Sequence, residues 1–265
     1  MNKKKIAIVY DADNTILKED HPNLILRARG MDVDGFWKQV DEIQDRHKAE
    51  HPDSNVDGFY LNYMAKKSRD PNHPLYGLTI KEMQDIAKRD MPSLYYSGIP
   101  EFFDRIKKEN PDCDITHHII SLGIGHMLEA GLGQYVDRIF AYTFTTDPDD
   151  GGLIVAGTNS SLEKDSATKK VSRGRLFGTD EKGFEYPMKE MIAIGDGFSD
   201  KEMFRQVGPR GLAICVFDPW KDLSSGRKAR ELADKIGNVY TAITDYTPSH
   251  EINRLTSKFI RGAEK

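Results

Sequence analysis

The sequence predicts an α/β fold, a three-layer core around a mainly parallel five-stranded sheet, with an α-helical cap. Three observations predict it. Ile6–Tyr10 is an apolar run too short for a helix, and it ends on two carboxylates, Asp11 and Asp13. The next eighty or so residues after Thr15 show helical spacing and no strand signal. From Pro100 onward, strand-like apolar runs alternate with helical patterns. Such alternation implies right-handed crossovers and a mostly parallel, Rossmann-like sheet.

In chain order, Ile6–Tyr10 is the first buried strand. Val33, Phe36, Trp37, Val40 and Ile43 then fall on one helical face, with Asp32 or Asp34 at its start. Phe59, Tyr63 and Met64 mark a second helix. Thr79-Ile-Lys-Glu82 is a capping box, with Leu78 and Met83 placed as a hydrophobic staple, and the helix it opens turns Ile80, Met83, Ile86 and Ala87 inward. Pro92 and Gly98-Ile-Pro100 close this helical stretch. Phe102, Phe103 and Ile106 form the next helix face, and Asp114–Ser121 reads as a strand. A short helix at Met127–Leu132 precedes a strand at Arg138–Phe144. The turn-rich Asp147–Gly152 leads into Leu153–Ala156 as a hairpin excursion. Met191–Ile194 and Leu212–Phe217 complete the strands.

The totals narrow the function classes. The chain has 265 residues, 38% hydrophobic and 30% charged, with a formal net charge of -4. That balance gives no general attraction for nucleic acid or an anionic membrane. No apolar stretch approaches transmembrane length, and the run after Lys3-Lys-Lys5 is too short for a signal peptide. Two cysteines, Cys113 and Cys215, read as buried hydrophobes in a reducing, cytoplasmic setting. The sequon Asn159-Ser-Ser161 is accordingly taken as accidental. The oligomeric state is not legible.

Four segments with useful chemistry lie at or near strand ends, where ligands of open α/β sheets bind. Asp11 and Asp13 repel one another unless a cation lies between them or one is protonated, which points to a divalent metal and a carboxylate nucleophile. Ser121 follows Ile119-Ile120, and Gly123 frees the backbone to approach an anion. Thr168-Lys-Lys170, with Arg173 and Arg175, is basic. Gly195-Asp-Gly-Phe-Ser-Asp200 sets two more carboxylates on a glycine-rich turn.

In this order the segments resemble the four motifs of the haloacid dehalogenase (HAD) superfamily, closest to its phosphoserine-phosphatase-like branch. The resemblance covers residues 1–16 and 99–265 as the catalytic core, and places residues 17–98 where that superfamily inserts a helical cap. It implies a Mg²⁺-dependent phosphatase acting on a small phosphorylated metabolite through an aspartyl-phosphate. Asp11 would be the nucleophile and a metal ligand. Asp13 would exchange the proton with the leaving oxygen and then water, and supply its backbone carbonyl to the metal. Asp196 would complete the metal site. Ser121, the Leu122 and Gly123 backbone and Lys169 would hold the phosphoryl oxygens, with Lys170 the alternative lysine. Asp200 and Thr15 would support these groups from behind. Alternatives are a phosphotransferase of the same superfamily and a non-catalytic ligand-binding scaffold.

The remaining candidates have plainer readings. His117 and His118 are strand neighbours facing opposite sides, and a structural role is expected. His126 either lines the substrate pocket or has a capping or surface role. His21, His47, His51 and His73 lack ligand spacing and are expected in solvent. Phe36, Trp37, Phe59, Tyr60 and Tyr63 are read as core under the cap, and Tyr95-Tyr96 as lying where the cap returns to the core.

Overall fold

The computed structural model describes residues 3–54, 56–157, 163–173 and 185–262. The sequon at 159–161, Arg175 and the side chain of Arg173 lie outside the described residues. At the centre is β1 (Lys4–Tyr10), paired in parallel with β2 (Cys113–Ile124) on one side and β5 (Met191–Gly195) on the other. β3 (Arg138–Thr146) joins β2 in parallel, and β4 (Leu153–Gly157) runs antiparallel to β3. β6 (Leu212–Phe217) and β7 (Val239–Ile243) extend the other edge, giving the order β4-β3-β2-β1-β5-β6-β7.

The sheet therefore has seven strands where the sequence predicts five. The hairpin strand β4 is hydrogen-bonded into the main sheet through β3. β7 escapes the sequence reading because it is an edge strand, paired only with β6 among the described strands. One neighbour leaves its side chains half-exposed, so Val-Tyr-Thr-Ala-Ile lacks the apolar run that marks a central strand.

Strand alternation builds the layers. Ile6, Ile8 and Tyr10 enter one apolar cluster with Phe102, Phe103 and Ile106 of α5 (Glu101–Glu109) and Ile252 and Leu255 of α10 (Glu251–Ile260). Ala7 and Val9 face the opposite cluster, with Met203, Phe204 and Val207 of α8 (Lys201–Val207). Ala167 and Val171 of α7 (Glu163–Arg173) and Ala229 of α9 (Ser225–Ile236) lie in this second cluster. On the first face His117 is fully buried, its rings' nitrogens 2.9 Å from the Tyr10 hydroxyl and 3.0 Å from the Phe103 carbonyl. Burial pushes His117 down to about 3 and His118 down to about 4. Both are buried; His118 Nε2 lies 2.9 Å from the Thr116 hydroxyl, while its Nδ1 has no hydrogen-bond partner among the described residues.

Residues 17–98 hold α1 (Asn23–Ala28), α2 (Val33–Glu50), α3 (Phe59–Lys67), α4 (Ile80–Asp90) and a single 3-10 turn at Met91–Leu94. The Thr79 hydroxyl accepts from the Glu82 N–H at 3.2 Å, while the Glu82 carboxylate is turned outward to Arg29. The two crossings between sheet and helices are stitched together. Lys18 N–H donates to the Leu94 carbonyl at 2.7 Å, and Tyr96 N–H to the Ile16 carbonyl at 3.1 Å. Cys113 and Cys215 are unpaired. Among the described residues no helix is long and apolar enough to cross a membrane.

Candidate active site

Register brings the site together. Tyr10 is opposite Ile119 on one side and Ile194 on the other. Asp11 and Asp196, which follow β1 and β5, and Ser121, two residues beyond Ile119 in β2, therefore lie side by side at the same end of three adjacent strands. Asp11, Asp196 and Asp200 each offer a carboxylate oxygen within 4.8 Å of the others.

The lysine among them is Lys164. It lies on α7 and is fully buried, with Nζ 2.6 Å from Asp11 Oδ1 and 2.6 Å from Asp200 Oδ1. Lys169, the lysine assigned from sequence, is exposed, and Lys170 is partly so. The helix explains the correction. Lys164, Ala167, Thr168 and Val171 form one buried stripe at i, i+3, i+4 and i+7, whereas Lys169 lies about 140° around the axis from Lys164. A lysine heading an otherwise buried stripe is the signal that identifies it. Thr168 Oγ1 donates to the Lys164 carbonyl at 2.6 Å.

Asp200 uses both oxygens. Oδ1 takes Lys164, and Oδ2 accepts the N–H groups of Asp196 and Gly197 at 3.0 and 3.2 Å. This supports the turn that presents Asp196. Gly195 must lack a side chain here, since a Cβ would sit 2.4 Å from Asp200 Cγ. Asp11 and Asp196 are thus the side chains best placed to hold a cation.

The electrostatics are those of an over-filled acidic pocket. Burial pushes Asp11 well above the ordinary carboxylate range, Lys164 opposes the shift, and Asp200 and Asp196 add to it. Asp196 is pushed up to about 7, by burial and then by Asp200. Burial alone would lower the Lys164 ammonium, but Asp11 and Asp200 outweigh it and hold it above the usual lysine range. One ammonium does not balance three carboxylates. A divalent cation would relieve the surplus, and an all-oxygen donor set suits a hard ion.

The phosphate-loop candidates form an irregularity in β2. Its pairing with β3 shifts between Ile120 and Ile124, which releases Ser121, Leu122 and Gly123 from the ladder. Ser121 Oγ accepts the Gly123 N–H at 2.9 Å. The Leu122 carbonyl accepts the Tyr60 hydroxyl of α3 at 3.4 Å, so a side chain from the helical stretch reaches this loop. Thr15 is fully buried, and its hydroxyl has no hydrogen-bond partner among the described residues. His126 bonds the Phe144 carbonyl through Nε2 at 2.8 Å and so ties the start of α6 (Gly125–Leu132) to β3.

His21 departs furthest from expectation. It is fully buried rather than in solvent. Its backbone N–H and Nδ1 both meet Asp13 Oδ1, at 2.9 and 2.8 Å. A cleft of about 580 Å³ opens beside Asp196, lined by Asn14, Tyr96, Phe198, Asp218 and Lys221 among others.

Solved structures of similar fold exist. An aspartyl-phosphate intermediate analogue of phosphoserine phosphatase superposes with a TM-score of 0.55 at 20% identity, covering 90% of this chain and 94% of that one. The fold is that of the HAD phosphatases. A HAD family hydrolase from Salmonella enterica serovar Typhi superposes with a TM-score of 0.59 at 18% identity, over 98% of this chain and 72% of that one. Cytosolic 5'-nucleotidase IIIB bound to cytidine gives 0.56 at 15% identity, over 98% and 86%. A curated relative, an uncharacterized protein of Borreliella burgdorferi, is 22% identical over 77% of this chain and 79% of its own length. No protein-family profile matches the chain.

Proposed function

We propose that this chain is a Mg²⁺-dependent phosphatase that hydrolyses a small phosphorylated metabolite through an aspartyl-phosphate on Asp11. The observation that carries the reading is the buried Lys164 ammonium clamped between Asp11 and Asp200, with Asp196 beside them. A carboxylate held in this way is aimed and kept available for attack. The covalent route agrees with the intermediate analogue of similar fold. Asp11 attacks phosphorus as the bond to the leaving oxygen breaks, and Asp13 gives that oxygen its proton. Water then cleaves the aspartyl-phosphate while Asp13 takes a proton back, which frees the Asp11 carboxylate and returns Asp13 to its protonated form. Ser121, the Leu122–Gly123 backbone and Lys164 receive the phosphoryl oxygens, with Lys164 in the role the sequence suggested for Lys169. Bound through Asp11, Asp196 and the Asp13 carbonyl, Mg²⁺ would neutralise charge on the transferring group.

In this reading residues 1–16 and 99–265 are the catalytic core, and residues 17–98 are a cap hinged at the paired crossings around Ile16–Lys18 and Leu94–Tyr96. Closure of such an element shields the chemistry from bulk water. The unpaired cysteines favour a reducing compartment, the cytoplasm.

Asp11→Asn should abolish phosphate release from 4-nitrophenyl phosphate while keeping the melting temperature. EDTA should remove wild-type activity and added Mg²⁺ restore it. Full activity in the variant would overturn the proposal. Release of phosphate without an acceptor separates hydrolysis from phosphotransfer.

A further inference from the structure

Proton exchange at Asp13 demands that one carboxylate oxygen face the leaving group, yet a carboxylate rotates freely unless something holds it. Asp13 is held by a side chain remote from every motif. Asp13 Oδ1 receives the His21 backbone N–H at 2.9 Å and lies 2.8 Å from His21 Nδ1. The Ile124 N–H points at His21 Nε2 at 2.8 Å. A backbone N–H only donates, so Nε2 is the bare nitrogen and the ring hydrogen is on Nδ1, donating to Asp13. Two donors then converge on Oδ1. Any proton carried by Asp13 sits on Oδ2, which has no hydrogen-bond partner among the described residues.

The ring itself is immobilised. His21 is fully buried, and Gly123 passes so close that a Cβ there would stand 2.0 Å from His21 Cε1. The chain Asp13–His21–Ile124 thus spans from the end of β1 to the residue directly after the loop Ser121–Gly123, 103 positions away from His21 in sequence.

We propose that His21 is a positioning residue. Locked in one tautomer by Ile124, it turns Asp13 so that Oδ2 addresses the leaving oxygen, and it keeps that oxygen in register with the phosphate loop. The proposal rests on the reading of Asp13 as the proton donor. Its signature is leaving-group dependence. A leaving oxygen that departs readily as an anion needs little help from a donor, whereas a basic one needs a correctly aimed proton.

The test uses 4-nitrophenyl, phenyl and 4-methoxyphenyl phosphates with four proteins: wild type, Asp13→Asn, His21→Gln and His21→Asn. His21→Gln reaches the Ile124 N–H but brings no donor to Asp13. His21→Asn keeps a donor near the Nδ1 position and gives up Ile124. Asp13→Asn should steepen the fall of kcat/KM with leaving-group basicity. His21→Gln should steepen it in the same sense, with a loss of about 100-fold on 4-methoxyphenyl phosphate, the scale of a small misplacement of a catalytic group, and a much smaller loss on the 4-nitro compound. His21→Asn should keep the wild-type slope. A purely structural role would lower all three substrates equally. If Asp13→Asn leaves the slope unchanged, the proton-donor reading fails. If Asp13→Asn steepens it but His21→Gln does not, or if His21→Asn steepens it as Asp13→Asn does, the inference about His21 fails. Should His21→Gln not fold, His21→Leu, which likewise brings no donor to Asp13, takes its place: a steepened slope supports the inference and an unchanged slope overturns it.

Discussion

Replacing Lys164 with Met tests the lysine assignment most directly, because stability and activity must then fail together. The ammonium is fully buried and makes two charge-assisted bonds of 2.6 Å, to Asp11 and Asp200. Methionine fills a similar volume but leaves both carboxylates in the pocket without their shared cation. Removing one partner of a buried ion pair typically costs about 3–5 kcal/mol. For a chain of this size that corresponds to a fall of roughly 6–20 °C in melting temperature, at about 2–4 °C per kcal/mol. Activity should fall further. Loss of one preorganised donor to a transferring oxyanion costs about 10²–10³ in kcat, and Lys164 in addition aligns the nucleophile. A drop in kcat/KM of at least about 10³ on 4-nitrophenyl phosphate is therefore expected, about 4 kcal/mol of transition-state stabilisation. Lys169→Met, on the exposed face of the same helix, should leave activity and melting temperature close to wild type. Calorimetry and steady-state kinetics on the two variants give the answer. Near-normal turnover in Lys164→Met, or a comparable loss in Lys169→Met, would refute the assignment.

Two further predictions follow from the buried groups. His117 and His118 are held at about 3 and about 4, below an unfolded value of 6.5, so below pH 6.5 the unfolded chain binds more protons and stability falls as pH falls. Their contribution is complete above pH 6.5. By pH 5 each has lost about 2 kcal/mol, about 4 together. In urea titrations the stability difference between wild type and a His117→Gln/His118→Gln variant should narrow by that amount from pH 7 to 5, and a constant difference would contradict it. Gly195→Ala puts a Cβ 2.4 Å from Asp200 Cγ and should push Asp200 off Lys164 and off the Asp196 turn. Turnover should drop by at least about tenfold through a misplaced support, and an alanine variant as active as wild type would show that Asp200 need not sit where it does.

The parts legible in the sequence are those whose physics is local. Ile6–Tyr10, Met191–Ile194 and Leu212–Cys215 are buried on both faces, so they read as continuous apolar runs whatever surrounds them. The carboxylates at their ends follow by chain continuity, so Asp11, Asp13 and Asp196 can be read beside strand ends from the sequence alone. β7 was not legible because an edge strand with one neighbour needs no apolar run, and Tyr240 remains 43% exposed. Lys164 was legible in principle, through the stripe Lys164–Ala167–Thr168–Val171. That stripe places a lysine on an inward face, where a charge is tolerated only if it is paired.

His21 had no such signal. It sits in a turn, where no periodicity distinguishes an inward residue from an outward one, and its second partner is a backbone N–H far along the chain. The glycine beside that partner was visible but admitted another cause. Gly123 suggests close approach of backbone to an anion, whereas the structure shows the missing side chain making room for an imidazole. A glycine in a loop reports that space is short on one side of the backbone, and only the fold says what fills it. Here the filler bonds the acid-base candidate on one side and the phosphate-loop end on the other. Gly123, like Gly195 behind Asp200, is thus part of how carboxylates are aimed. In the proposed reading the nucleophile Asp11 and the proton donor Asp13 are each held by a buried partner from outside their own motif, Lys164 for Asp11 and His21 for Asp13. On that reading the Asp-x-Asp pair would supply the reacting oxygens, but which of those oxygens faces the substrate would be decided elsewhere in the chain.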